Sequence, residues 1–177
     1  MKIALSQEIY SRLIKHLFSG KTEQVAFLLG MPTDTSPRIR LEQLLCIPPE
    51  GFTIQSEYHV SLTDETRAHV IKWAWDHQAC LVEAHSHRGY ATAAFSPSDI
   101  AGFREFVPHV WWRLQGRPYA AFVFTQNEFD ALAWTKSPHV AQQVTTLEVD
   151  GRQDRLPTAE SLHSYMRRAH DAGKRTL

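Results

Sequence analysis

Two histidines separated by one residue, His85 and His87, are the side chains in this sequence best spaced to meet a single metal ion. On an extended strand end, residues i and i+2 point to the same side, so the two imidazoles are aimed together. Asp99 follows twelve residues after His87. It falls at the third position of a predicted helix that Ser96 caps and Pro97 opens, which gives its carboxylate a rigid mount. The glycine and alanines between let the loop fold back. Two nitrogens and one oxygen would then surround the metal, and three such ligands leave a fourth tetrahedral position for water. That is the pattern of catalytic zinc, whereas structural sites are closed and usually rich in cysteine. Water held in this way is a ready nucleophile near neutral pH. A hydrolase of this design also needs a base that takes the water's proton and returns it to the leaving nitrogen. Glu23, at the edge of a predicted neighbouring strand, can do both. Glu83 is its rival, because it precedes His85 by two residues, shares that strand face, and could act as the base or as a partner of the ligand.

These side chains depend on a small set of predicted elements. Residues 6–18 place Ile9, Leu13 and Leu17 at fourfold spacing, with Ser6 to cap the start and Gly20 to stop the end, which predicts a helix. Residues 24–30 (QVAFLLG) and 39–47 flank a link rich in turn formers, Pro32, Asp34, Ser36 and Pro37, and predict a β-hairpin. Residues 48–62 predict a loop. Thr63 then opens a second helix with Val70, Trp73 and Ala74 on one face. The apolar run 79–84 (ACLVEA) is a strand that feeds directly into His85. Residues 119–125 and 129–134 flank Gln126-Asn127-Glu128 as a further hairpin, and 144–149 form another short strand. The result is an α/β chain with a substantial antiparallel part. Residues 1–150 are expected to form one domain, and 151–177 a polar C-terminal appendage with a helical pattern over 158–172, a candidate partner-binding helix.

The bulk composition narrows the alternatives. A chain of 177 residues suits a single domain with its own core. Lys plus Arg and Asp plus Glu are equal at 19 each, so net charge points to neither nucleic acid nor an anionic membrane. No stretch approaches the roughly 20 apolar residues of a membrane span or the apolar core of a signal peptide, which leads to the expectation of a cytoplasmic protein. Cys46 and Cys80 each lie inside an apolar run and read as small buried thiols. The remaining histidines, such as His16, His69, His77, His163 and His170, read as polar residues on helices.

Two stretches together resemble one known family. Residues 23–30 (EQVAFLLG) look like its strand that begins with glutamate and ends in glycine, and residues 85–99 (HSHRGYATAAFSPSD) look like its His-x-His, spacer, Ser-x-x-Asp signature. Together these resemble the JAMM motif of the MPN-domain (JAB) metallopeptidases, and the order of elements agrees from about residue 4 to 135. The resemblance implies the MPN/JAB fold, a curved mixed β-sheet flanked by helices with an architecture like that of cytidine deaminases. It implies one zinc ion per chain held by His85, His87 and Asp99, with Glu23 as general base. It further implies that Ser96 helps to stabilise the tetrahedral intermediate, a role compatible with a plain helix cap. The implied activity is that of a zinc metallo-isopeptidase, a deubiquitinase-like hydrolase. It would cleave peptide or isopeptide bonds at the C-terminus of a ubiquitin-like protein, in deconjugation or precursor processing. Activating and conjugating enzymes of the same pathway are the implied further partners. The alternative is a non-catalytic MPN scaffold or binding module in such a system. Every expected polar position is filled, as in active members. The sequence departs from the common pattern at Arg88, where many members carry proline, and in a spacer of eight residues between His87 and Ser96, one longer than usual.

Other hydrolases built on His-x-His fit less well. An amidohydrolase barrel needs roughly 250 residues, a metallo-β-lactamase would show an Asp-His pair just after the histidines, and a zinc deaminase would need His-x-Glu with Pro-Cys-x-x-Cys. The sequence has none of these.

Overall fold

The computed structural model describes residues 1–32 and 38–173, and the side chains of Pro32 and of residues 167–173 fall outside that description. Along the chain it places strand β1 (Lys2–Leu5), helix α1 (Gln7–Leu17), strands β2 (Val25–Pro32) and β3 (Arg38–Cys46), a short 3-10 turn (Pro49–Gly51), and strands β4 (Phe52–Gln55) and β5 (Val60–Leu62). Helix α2 (Asp64–Asp76), strand β6 (Cys80–Ser86) and helix α3 (Pro97–Arg113) follow. Strands β7 (Tyr119–Phe124), β8 (Phe129–Trp134), β9 (Gln142–Gln143) and β10 (Thr146–Val149) then lead to helix α4 (Glu160–Gly173).

Eight strands form one curled mixed sheet in the order β10-β1-β3-β2-β6-β7-β8-β9, and β4 pairs with β5 in a separate hairpin. The period-two alternation of the strands sorts their side chains between two cores. Val25, Phe27, Leu29 and Leu81 face the side covered by α2, α3 and α4, where they meet Val70, Ile100, Val107 and Tyr165. Ala26, Leu28, Cys80, Val82 and Ala84 face the side covered by α1, through Tyr10, Leu13 and Leu17. Each fully buried leucine of this kind contributes roughly 2 kcal/mol of apolar transfer energy. Glu83 and His85 continue the Leu81 row along β6, so the chemistry lies on the face of α2 and α3.

The caps form where the sequence places them. The hydroxyl of Ser6 accepts from the amide of Ile9 and starts α1, and that of Thr63 accepts from Thr66 and starts α2. Strands β2 and β3 pair in antiparallel, as the predicted hairpin requires. The link residues Asp34, Ser36 and Pro37 lie outside the described residues. Both cysteines are unpaired, and burial pushes the Cys80 thiol up to about 11.

Two expectations are corrected. Residues 48–62 are not simply a loop, because β4 and β5 pair there in antiparallel, with Phe52 opposite Leu62. Residues 151–166 are not a peripheral appendage either. Ser161 and Tyr165 are 1% and 3% exposed. The Ser161 amide donates to the buried Asp130 carboxylate at 2.8 Å, and the Trp134 indole donates to the Tyr165 hydroxyl at 3.3 Å. The polar sequence of α4 conceals one buried stripe, which joins the same core as α3.

Candidate metal centre

Strand pairing sets the position of both histidines. Val25 of β2 lies opposite His85, and β6 runs parallel to β7 with His85 beside Val123. The His87 amide then donates to the Phe124 carbonyl at 2.8 Å, which carries the β6 direction one residue past the strand. Both side chains are nearly sealed from solvent, at 2% and 5% exposure, and their rings stand 5.0 Å apart.

Asp99 reaches them from α3. Its amide donates to the Ser96 hydroxyl, and its carboxylate Oδ2 accepts from the Ser96 amide at 2.7 Å, so the two residues close a capping box. The same oxygen lies 3.2 Å from His87 Nε2 and 3.6 Å from His85 Nε2. Among the described residues, His85, His87 and Asp99 form the one group whose ligand atoms could hold a metal, with all three atoms within 4.8 Å of one another.

Glu83 meets the opposite edge of the His85 ring. Its Oε1 lies 3.6 Å from His85 Nδ1, and its Oε2 accepts from the Tyr119 hydroxyl at 2.6 Å. A carboxylate at Nδ1 holds a proton there and leaves Nε2, the atom that faces Asp99, as the nitrogen whose proton a metal ion would displace. That Nε2 is buried with no hydrogen-bond partner, a costly state that a ligated cation would relieve. Electrostatics points the same way. Burial alone would lower the His85 pKa, but Asp99 and Glu83 together push it up to about 10. Burial would raise the Asp99 pKa, but His85 and His87 hold it well below the usual carboxylate range. The cavity therefore demands a positive charge, and two imidazole nitrogens with a carboxylate oxygen are a donor set that suits zinc.

Glu23 stands on the other flank, with Oε1 3.8 Å from His87 Nε2. It is 3% exposed and precedes β2 by two residues. Its amide donates to the Ser56 carbonyl at 2.8 Å, and its carbonyl accepts from Gln55 at 3.0 Å, so the β4-β5 hairpin fixes its backbone. Burial raises its pKa, and the nearby histidines oppose that rise.

The structure thus brings His85, His87, Asp99 and Glu23 together and gives Glu83 to His85. Ser96 sits beside them, but its hydroxyl is engaged in the cap and lies 2.8 Å from the Ser98 hydroxyl. A cleft of about 180 Å³ opens against His85 and Asp99, with Glu83, Arg67, Ser98 and Phe106 among its walls. Residues 52–59 and 88–95 flank the centre in chain order, so both could line such a cleft. Only His59 of those two segments does so, and Val60, Ser61 and Leu62 take the rest of that wall. Arg88, Gly89 and Tyr90 instead line a separate depression with Tyr58. Sequence reasoning missed Tyr119 and Arg67. For Tyr119 there was a signal, a lone hydroxyl at the start of the otherwise apolar run YAAFVF.

No family model matches the chain, and neither does any curated protein. Protein DSY2949 from Desulfitobacterium hafniense, known from a solution structure, is similar at 18% identity and a TM-score of 0.48, over 92% of this chain and 97% of that one. Among the described residues, no helix is long and apolar enough to cross a membrane.

Proposed function

We propose that this chain is a zinc-dependent hydrolase of the JAMM type, with the MPN/JAB fold, that cleaves peptide or isopeptide bonds at the C-terminus of a ubiquitin-like protein. The observation that carries this reading is the convergence of His85, His87 and Asp99 within 4.8 Å, with the buried Glu23 carboxylate on one flank and the partly buried Glu83 on the other.

In this reading His85, His87 and Asp99 would hold the zinc ion. A zinc ion there would act as a Lewis acid that polarises the scissile carbonyl and acidifies water. Glu23 Oε1 takes a proton from the attacking water and hands it to the leaving nitrogen. Its burial suits that role, because a carboxylate whose pKa is raised is a better proton acceptor near neutral pH. Glu83 orients His85, and Tyr119 orients Glu83. Ser96 keeps Asp99 in place through the capping box, and a part for its hydroxyl in stabilising developing charge rests on the family resemblance. Activating and conjugating enzymes of a ubiquitin-like system are the partners this reading entails.

The test is zinc content together with cleavage of a ubiquitin-like protein fused through its C-terminus to a reporter. About one zinc per chain, lost in His85→Ala and His87→Ala, is expected with the cleavage. Protein that remains zinc-free after reconstitution would overturn the reading. Zinc bound without cleavage of any such fusion would replace it with that of a scaffold module.

A further inference from the structure

Strands β2 and β6 stay paired as far as Gln24 and Ser86, where the Ser86 amide donates to the Gln24 carbonyl at 3.1 Å and the Gln24 amide to the Ser86 hydroxyl at 3.0 Å. Beyond that point the two chains bond elsewhere. Glu23 turns to Ser56, and His87 turns to Phe124. The general base and one metal ligand therefore lie on segments that have just left their common ladder.

Arg88 spans them. Its Nη2 donates to the Phe18 carbonyl at 2.6 Å, its Nη1 donates to the Gly20 carbonyl, and its guanidinium lies 5.7 Å from the Phe18 ring centre. Phe18 is the C-cap of α1, so the fork reaches backbone carbonyls at the negative end of a helix, which favour a cation. A planar guanidinium serves two such acceptors at once, which an ammonium does less well. Arg88 Nε is buried without a partner, so the head is held by those two carbonyls and the ring. Gly20 and Gly89 have φ of +83° and +76°, left-handed turns that glycine adopts freely and that let each segment bend around the clamp. The Arg88 backbone is contiguous with His87, and Gly20 lies three residues before Glu23.

We propose that Arg88 is a positioning residue: it ties the loop that follows His87 to the segment that leads into Glu23, and so sets the 3.8 Å separation of His87 Nε2 from Glu23 Oε1. This rests on the metal role of His87 proposed above. Arg88 faces carbonyls and an aromatic ring, so its effect on the centre is exerted by anchorage through His87 and not by contact with a reacting group.

The experiment is a Co2+ titration of wild type, Arg88→Ala, Arg88→Gln and Arg88→Lys, followed by the visible d–d bands and by affinity, with thermal melting measured alongside. Loss of a hydrogen-bonded partner of a metal ligand typically costs about 10- to 100-fold in affinity, and loss of an anchor one residue from the ligand belongs at the lower end of that range. Arg88→Ala and Arg88→Gln are expected to bind Co2+ at least about tenfold more weakly with shifted bands, and Arg88→Lys to recover part of both. If Arg88→Ala does not fold, the Gln and Lys variants decide. Unchanged bands and affinity in folded variants, even with a lower melting temperature, would overturn the inference, since a purely structural tether has that signature. Wild-type protein that binds no Co2+ would instead overturn the metal reading, and this inference with it.

Discussion

Glu23 and Glu83 are both carboxylates beside a histidine of the cluster, and replacing each by glutamine separates their roles. Glu23 approaches His87 from outside the trio of His85, His87 and Asp99, at 3.8 Å from Nε2. Its amide would keep the shape and lose the proton acceptor. Loss of a general base lowers turnover by roughly a hundredfold or more, which is about 2.7 kcal/mol of transition-state stabilisation. Glu83 instead lies 3.6 Å from His85 Nδ1, on the far side of the ring from Asp99. Its loss should weaken metal binding by about 10- to 100-fold, with turnover largely restored when zinc is saturating. Zinc affinity is read by chelator competition, and turnover on zinc-saturated protein with a ubiquitin-like fusion. The expected pattern is crossed, with Glu23→Gln affecting turnover and Glu83→Gln affecting zinc. Near-normal turnover in Glu23→Gln, together with a dead but zinc-loaded Glu83→Gln, would refute the assignment of the base.

Further outcomes follow from the same geometry. In the metal-free chain the His85 pKa stands at about 10, so zinc must displace a proton there at neutral pH; raising the pH removes that competitor, and apparent affinity should climb about tenfold per pH unit between roughly pH 6.5 and 8. Calorimetry in buffers of different ionisation enthalpy should count about one proton released per zinc, and no release would show that His85 is already neutral. Tyr165→Ala removes a ring that packs 5.8 Å from that of Trp134 and should cost about 3 kcal/mol, visible as a melting point lower by roughly 6–12 °C; a cost under about 1 kcal/mol would mean that α4 is not part of the core.

The centre was legible because its determinants are local. His-x-His needs only an extended backbone, and Ser96 with Asp99 at N3 is a self-contained capping box. Glu23 was legible through the strand it precedes. The missed features depend on distant partners. β1 has four residues, too few to display a period, and its sheet neighbours are β3 and β10. The β4-β5 hairpin hides in a stretch broken by Pro48, Pro49 and Gly51, and its place is fixed through Ser56 and Gln55, which bond to Glu23. In α4 the buried positions Ser161 and Tyr165 are polar residues whose partners, Asp130 and Trp134, lie 31 residues away in the chain. Hydrophobic periodicity cannot report such a contact.

The double parallel pairing of β1 bears on how the protein is made. Ile3 lies beside Ile39 on one side and Leu147 on the other, so β1, translated before β10, has an open edge until residues 146–149 leave the ribosome. For most of synthesis that edge is a backbone template next to apolar side chains, the kind of surface that another nascent chain can pair with. Closing it demands a contact between residues as distant in the chain as Ile3 and Leu147, which is slow to form. A chain with this topology is therefore expected to aggregate less when β1 is shielded until β10 has emerged.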